Sequence, residues 1–177
     1  MRRILALVPL LGILPACIVE APTNEKPGPA QSRGQVKAVP VKNGAVLDDL
    51  AELVGATFAP PSVSPGDSTR VVLVFRVIKP STDDWQVFVH VEDAEGRGER
   101  LNADHALRLP TSSWRPGELV QDEFALTLPS GFRTRAVNVY VGLWLPSNNA
   151  RMKVRNPEVV RTDGNDRILL VQLPVAG

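Results

Sequence analysis

Through much of the chain apolar residues recur at every second position, the spacing that sets side chains on one face of a β-strand. In the segment 69–78, Val71, Leu73, Phe75 and Val77 fall on one side, and in 85–92, Trp85, Val87, Val89 and Val91 do the same. Segments 119–128, 136–145, 152–161 and 167–175 continue the pattern and are rich in β-branched residues. The stretch 46–60 is ambiguous, because Leu47, Leu50, Leu53 and Val54 also fit helical spacing. It reads as a short helical or irregular lead into a strand near 54–58. About six to eight short strands without intervening helices predict an all-β domain, an antiparallel sandwich.

Turn chemistry supports that division. Ser64-Pro65-Gly66-Asp67 precedes one strand and Arg115-Pro116-Gly117-Glu118 precedes another. Proline followed by glycine at the central positions predicts type II turns, in which proline presets φ and glycine accepts a positive φ. The likeness of the two is read as shared turn chemistry rather than an internal repeat.

The N-terminus departs from the alternation. Behind Arg2 and Arg3 lies an apolar run, 4–14, interrupted by Pro9 and Gly12 and followed by Pro15, Ala16 and Cys17. A helix that crosses a bilayer needs roughly twenty apolar residues. The run is too short for that, and its layout is that of a bacterial lipoprotein signal. Residues 1–16 are therefore expected to be a removed signal peptide, with Cys17 as the lipidated first residue of the mature chain. Pro15 sits where a small or β-branched residue is more usual. Pro22, Pro27 and Pro29 mark 17–34 as a disordered tether, extended at about 3.1 Å per residue. Residues 35–177 would form the sandwich. By similarity to other lipoproteins, Cys17 would carry three acyl chains, and Ile18 after it favours the outer membrane of a bacterial cell envelope.

Charge and cysteine content narrow the partners. The chain has 20 Lys and Arg against 19 Asp and Glu. Loss of Arg2 and Arg3 with the signal leaves a mature net charge of about −1, which gives no footing for nucleic acid. With its one cysteine committed to lipid, the mature domain would have neither a disulfide nor thiol chemistry.

An ordered set of motifs resembles a known module. It comprises Trp85-Gln86-Val87-Phe88-Val89-His90-Val91, Asp93-Ala94-Glu95-Gly96, Asp104-His105, Pro110-Thr111-Ser112-Ser113-Trp114-Arg115-Pro116-Gly117-Glu118 and Val139-Tyr140-Val141-Gly142-Leu143-Trp144. In this order they are similar to an immunoglobulin-like β-sandwich found at the extracytoplasmic ends of bacterial membrane glycosyltransferases and in envelope proteins. The resemblance spans roughly 45–175 and implies an immunoglobulin-like sandwich of about seven or eight strands. It implies an envelope location and no established reaction. Trp144 stands where the module usually has tyrosine, and Arg76 to Ile78 where it often has a tryptophan-containing strand end.

Few residues invite chemistry. His90, Asp104 and His105 offer zinc-type donors, but their spacing matches no specific ligand pattern, so no metal or cofactor is expected. Alternation turns His90 away from the Trp85, Val87 and Val89 face, and Asp104 reads as a lock that accepts backbone N–H groups at a corner. No G-x-S-x-G elbow is present, and Ser112 and Ser113 lie in a turn without a base. Asp83-Asp84 and Asp122-Glu123 are adjacent acids, which on a strand point to opposite faces. They read as solvated or turn residues rather than a glycosidase pair.

Trp114, Tyr140 and Trp144 remain as contact candidates, since aromatic rings supply area for sugars and proteins. Tyr140 and Trp144 share one side of their strand, opposite Val139, Val141 and Leu143, while Trp114 could instead plug one end of the sandwich. The sequence thus predicts a non-enzymatic, lipid-anchored domain that binds or scaffolds an envelope protein. The alternative is a glycan-binding module that uses the exposed aromatics.

Overall fold

The computed structural model describes residues 39–177; the expected signal peptide, Cys17 and tether lie outside them. Among the described residues the strands are β1 (Val41–Leu47), β2 (Ala51–Ala59), β3 (Ser68–Val77), β4 (Gln86–Asp93), β5 (Arg100–Asn102), β6 (His105–Ala106), β7 (Leu119–Thr127), β8 (Ala136–Leu145), β9 (Ala150–Arg151) and β10 (Ile168–Pro174). One sheet has the order β1-β2-β3-β7 and the other β10-β8-β4-β5, with β6 on β4 and β9 on β8. The chain passes from β3 to β4 in the opposite sheet, returns so that β7 lies beside β3, and crosses again to place β8 beside β4. This crossing is that of an immunoglobulin-like antiparallel sandwich. Seven strands have seven or more residues, and the other three are short pieces of two or three.

The inner faces follow the alternation. Val71, Leu73, Phe75 and Val77 of β3 meet Val87, Val89 and Val91 of β4 and Val137, Val139, Val141 and Leu143 of β8, all within 2% of full burial. Each such side chain contributes about 1.5–3 kcal/mol through removal from water. Both Pro-Gly turns form as expected. Asp67 N donates to Ser64 O at 3.0 Å with Gly66 at φ 90°, and Glu118 N to Arg115 O at 3.1 Å with Gly117 at φ 84°.

Two segments differ from the sequence reading. The stretch 46–60 contains no helix: β1 and β2 form a hairpin in which Leu47 pairs with Ala51. Asp48 and Asp49 turn it at φ 43° and 56°, a left-handed region that aspartate tolerates better than most residues. The leucines looked helical because a strand, a three-residue loop and a second strand return Leu47, Leu50 and Leu53 to the same core.

The segment 152–161 is not a strand either. Its residues 153–156 lie along the outer edge of β1, where Arg155 N donates to Val46 O at 2.9 Å and Asp48 N to Lys153 O at 3.0 Å, while Met152 N donates to Leu143 O of β8 and Arg161 O accepts from Leu169 N of β10. The Asn156 side chain completes the cover, accepting from Val46 N at 2.8 Å and donating to Gly44 O at 2.9 Å. An unpaired strand edge is a template for aggregation, and this segment blunts it. Pro157, which lacks an N–H, cannot continue a ladder there.

Candidate functional site

The same alternation that buries one face of β4 turns Phe88, His90 and Glu92 outward, and β8 turns Tyr140, Gly142 and Trp144 the same way. Register places His90 beside Asn102 and Glu92 beside Arg100, so β5 extends this face. Arg151 of β9 and the loop 163–167 rise over it. Together they enclose a polar cleft of about 630 Å³, within the roughly 300–1,000 Å³ typical of small-ligand sites.

Arg167 organises one wall. Its Nη1 donates to Glu92 Oε1 at 2.7 Å and its Nε to Asp163 Oδ2 at 2.6 Å, while the guanidinium stacks on Tyr140 at 4.5 Å. Burial disfavours its charge, but those two carboxylates more than compensate and raise its pKa. Asp163 is held below the ordinary carboxylate range: burial opposes its charge, and the Asn165 N–H, the Arg167 side chain and the Asn165 side chain outweigh that penalty. Arg151 lies over the Phe88 ring at 5.0 Å and donates from Nη1 to Asn165 O at 3.2 Å. Among the described residues no carboxylate pairs with it.

His90 lies on the cleft floor, its ring 5.1 Å from that of Phe88. Burial pushes its pKa down, and the charges of Arg151 and Arg167 add to that effect against the pull of Asp104 and Glu92. The imidazole is therefore neutral at neutral pH.

The three residues His90, Asp104 and His105 do not form one cluster. Asp104 sits between β5 and β6, and its Oδ1 accepts from Val89 N at 2.9 Å, taking the place of a ladder acceptor where the strand pairing breaks. That is the corner lock expected from sequence; His90 Nε2 stands 3.7 Å from the same oxygen. His105 points the other way, between the sheets, with Nε2 2.8 Å from Asp122 Oδ2 and Nδ1 2.9 Å from Ala103 O. Among the described residues no group of three or more His, Cys, Asp or Glu side chains is placed to hold a metal ion.

Asp122 corrects the reading of the paired acids. It is 1% exposed, in the inward row of β7 that also holds Val120 and Leu126, and neither solvent nor a turn surrounds it. Its neighbour Glu123 does point outward, as alternation requires, and pairs with Arg70.

The aromatic candidates also divide. Trp114 is 2% exposed, packs 5.6 Å from Phe75 and donates from Nε1 to Leu109 O at 3.0 Å, the geometry of an end plug. Tyr140 and Trp144 share the outer face as expected, and both are half-buried. Arg167 covers the Tyr140 ring, so a guanidinium rather than an open aromatic face meets the cleft. Trp144 Nε1 is buried and has no acceptor among the described residues.

Sequence reasoning singled out His90 but missed Arg151, Arg167, Arg100 and Asn102. The outward row Phe88, His90 and Glu92 was a usable signal for the floor. No local pattern foretold that Arg151 and the loop 163–167 would cover it. No family model matches the chain, and no curated protein matches it either.

Proposed function

We propose that this chain is a lipid-anchored protein of the bacterial cell envelope whose sandwich acts as a non-enzymatic binding module for another envelope component. The observation that carries the reading is the polar cleft on the outer face of the second sheet. Hydrogen-bonding and charged side chains line it, and the unbroken pairing of β4 with β8 from Gln86 to Asp93 holds its floor. Sites on strands keep their geometry better than sites on loops. The anchor rests on the apolar run 4–14 and the Pro15, Ala16 and Cys17 that follow it, and the outer membrane is the proposed destination. The large apolar side chains most exposed among the described residues are Ile78 and Val159, which lie apart in sequence and element. A polar partner surface suits this face better than a greasy one.

The test has two arms. Full-length protein expressed in a bacterium should incorporate labelled palmitate and sediment with membranes, whereas Cys17→Ser should stay as the uncleaved precursor. Capture of envelope extract by the wild-type protein should be lost on Arg151→Glu, which reverses a charge inside the cleft. Acylation of Cys17→Ser, or undiminished capture by Arg151→Glu, refutes the corresponding half of the reading.

A further inference from the structure

The charge pattern of the cleft narrows its ligand. Arg100, Arg151 and Arg167 face Glu92 and Asp163. Arg167 alone engages both carboxylates. Arg100 stands 3.9 Å from Glu92 with its side chain 74% exposed, too far for a hydrogen bond. Arg151 gives Nη1 to a backbone carbonyl, and its positive charge meets no carboxylate among the described residues. Its guanidinium already rests over the Phe88 ring and holds one hydrogen bond to Asn165 O, so part of its freedom is spent before the fork takes an oxyanion.

The remaining lining discriminates between anions. Glu92, Asp163 and nearby Asp104 would repel a densely charged polyanion such as nucleic acid or a polyphosphate. One carboxylate on an otherwise neutral ligand would meet Arg151 without that penalty. Around Arg151 the cleft offers Asn102 and the neutral imidazole of His90, each able both to donate and to accept. Such mixed groups suit hydroxyls.

We infer that the cleft binds a carboxylated saccharide of the uronate type, with Arg151 on the carboxylate and His90 and Asn102 on neighbouring hydroxyls. This rests on the reading of the cleft as a binding site and goes beyond it in naming the ligand. Arginine, not an aromatic platform, supplies the recognition.

The experiment is calorimetric titration of the full-length protein in detergent with otherwise neutral disaccharides that carry a single galacturonate, glucuronate or mannuronate residue, with their methyl esters and with inorganic phosphate. At least one uronate should bind saturably, and its ester at least about ten-fold more weakly, the loss expected for one charge-assisted bond. Phosphate at equal concentration should not displace it. Arg151→Gln should weaken uronate binding by about ten-fold or more. Asn102→Asp, at an exposed position, should do so by adding repulsion, with thermal melting unchanged. Failure of all three uronates to bind, displacement by phosphate, or unaltered binding in both variants would overturn the inference. Acid and ester that bind alike, both lost in Arg151→Gln, would overturn the carboxylate assignment while leaving the cleft as a binding site. Capture of an envelope component through the cleft with no uronate bound would likewise defeat this inference alone.

Discussion

His105 Nε2 lies 2.8 Å from Asp122 Oδ2, and the bond ties β6 of one sheet to β7 of the other. Nδ1 of the same ring lies 2.9 Å from the Ala103 carbonyl. Both nitrogens thus face oxygens that accept, and only the doubly protonated ring donates to both. Burial works against that charge, but the Asp122 hydrogen bond, the charge of the same carboxylate and the Ala103 carbonyl outweigh it and raise the His105 pKa above its ordinary value.

The pH dependence has a definite sign. A histidine whose folded pKa is raised binds its proton more tightly when folded, so its contribution is complete below the unfolded value of about 6.5 and is lost as pH rises through the folded value. The loss falls between about pH 6 and pH 9; His90, whose folded pKa is lowered, moves stability the other way over the lower part of that range, and does so equally in wild type and variant. The gap in urea midpoint between wild type and His105→Gln should narrow over the same range; a gap that widens would contradict the protonated ring.

Asn156 should act as a structural edge cap. Replacement by alanine removes two hydrogen bonds from β1 and should destabilise the fold by about 1–3 kcal/mol. The Val46 amide should exchange with deuterium markedly faster. Asn156→Asp, which keeps the acceptor for Val46 N but loses the donor to Gly44 O, should fall in between.

Gly142 should tolerate no side chain while Phe88 is present. An added Cβ would overlap Cζ and Cε1 of Phe88, which lies against β8. Gly142→Ala should cost about 1–3 kcal/mol through overpacking. Combining it with Phe88→Leu should cost less than the sum of the two single changes, a coupling that a double-mutant cycle in urea would measure.

Arg167 should hold the cleft wall in place. Arg167→Ala leaves Glu92 and Asp163 without their shared partner and uncovers Tyr140, a loss of about 1.5–3 kcal/mol. Hydrogen exchange should accelerate across 163–167. Arg167→Lys should restore only part of the protection, because an ammonium cannot reproduce the planar fork that spans both carboxylates.

Local pattern determined a good deal of this protein. Alternation set the inward rows of β3, β4 and β8 and the shared outward side of Tyr140 and Trp144, since side-chain direction along a strand depends on position parity alone. The two Pro-Gly turns were equally legible, because their backbone angles follow from the residues themselves. Even Asp104 as a corner lock could be anticipated from the habit of aspartate to accept backbone N–H groups.

Tertiary structure decided the rest, and the reason is the same in each instance. The sequence shows Asp122 interrupting an apolar row, yet its partner His105 comes from the other sheet. Asn156 caps an edge laid down 110 residues earlier, and the leucines of 46–60 satisfy helical and hairpin spacing equally well until β3 pairs with β2. The cleft belongs to this group: its floor is written in the period of β4, but Arg151 and Arg167 reach it only because β9 and the loop before β10 fold back over that face. Local spacing fixes which way a side chain points, while what it meets depends on strand order and register across the whole domain.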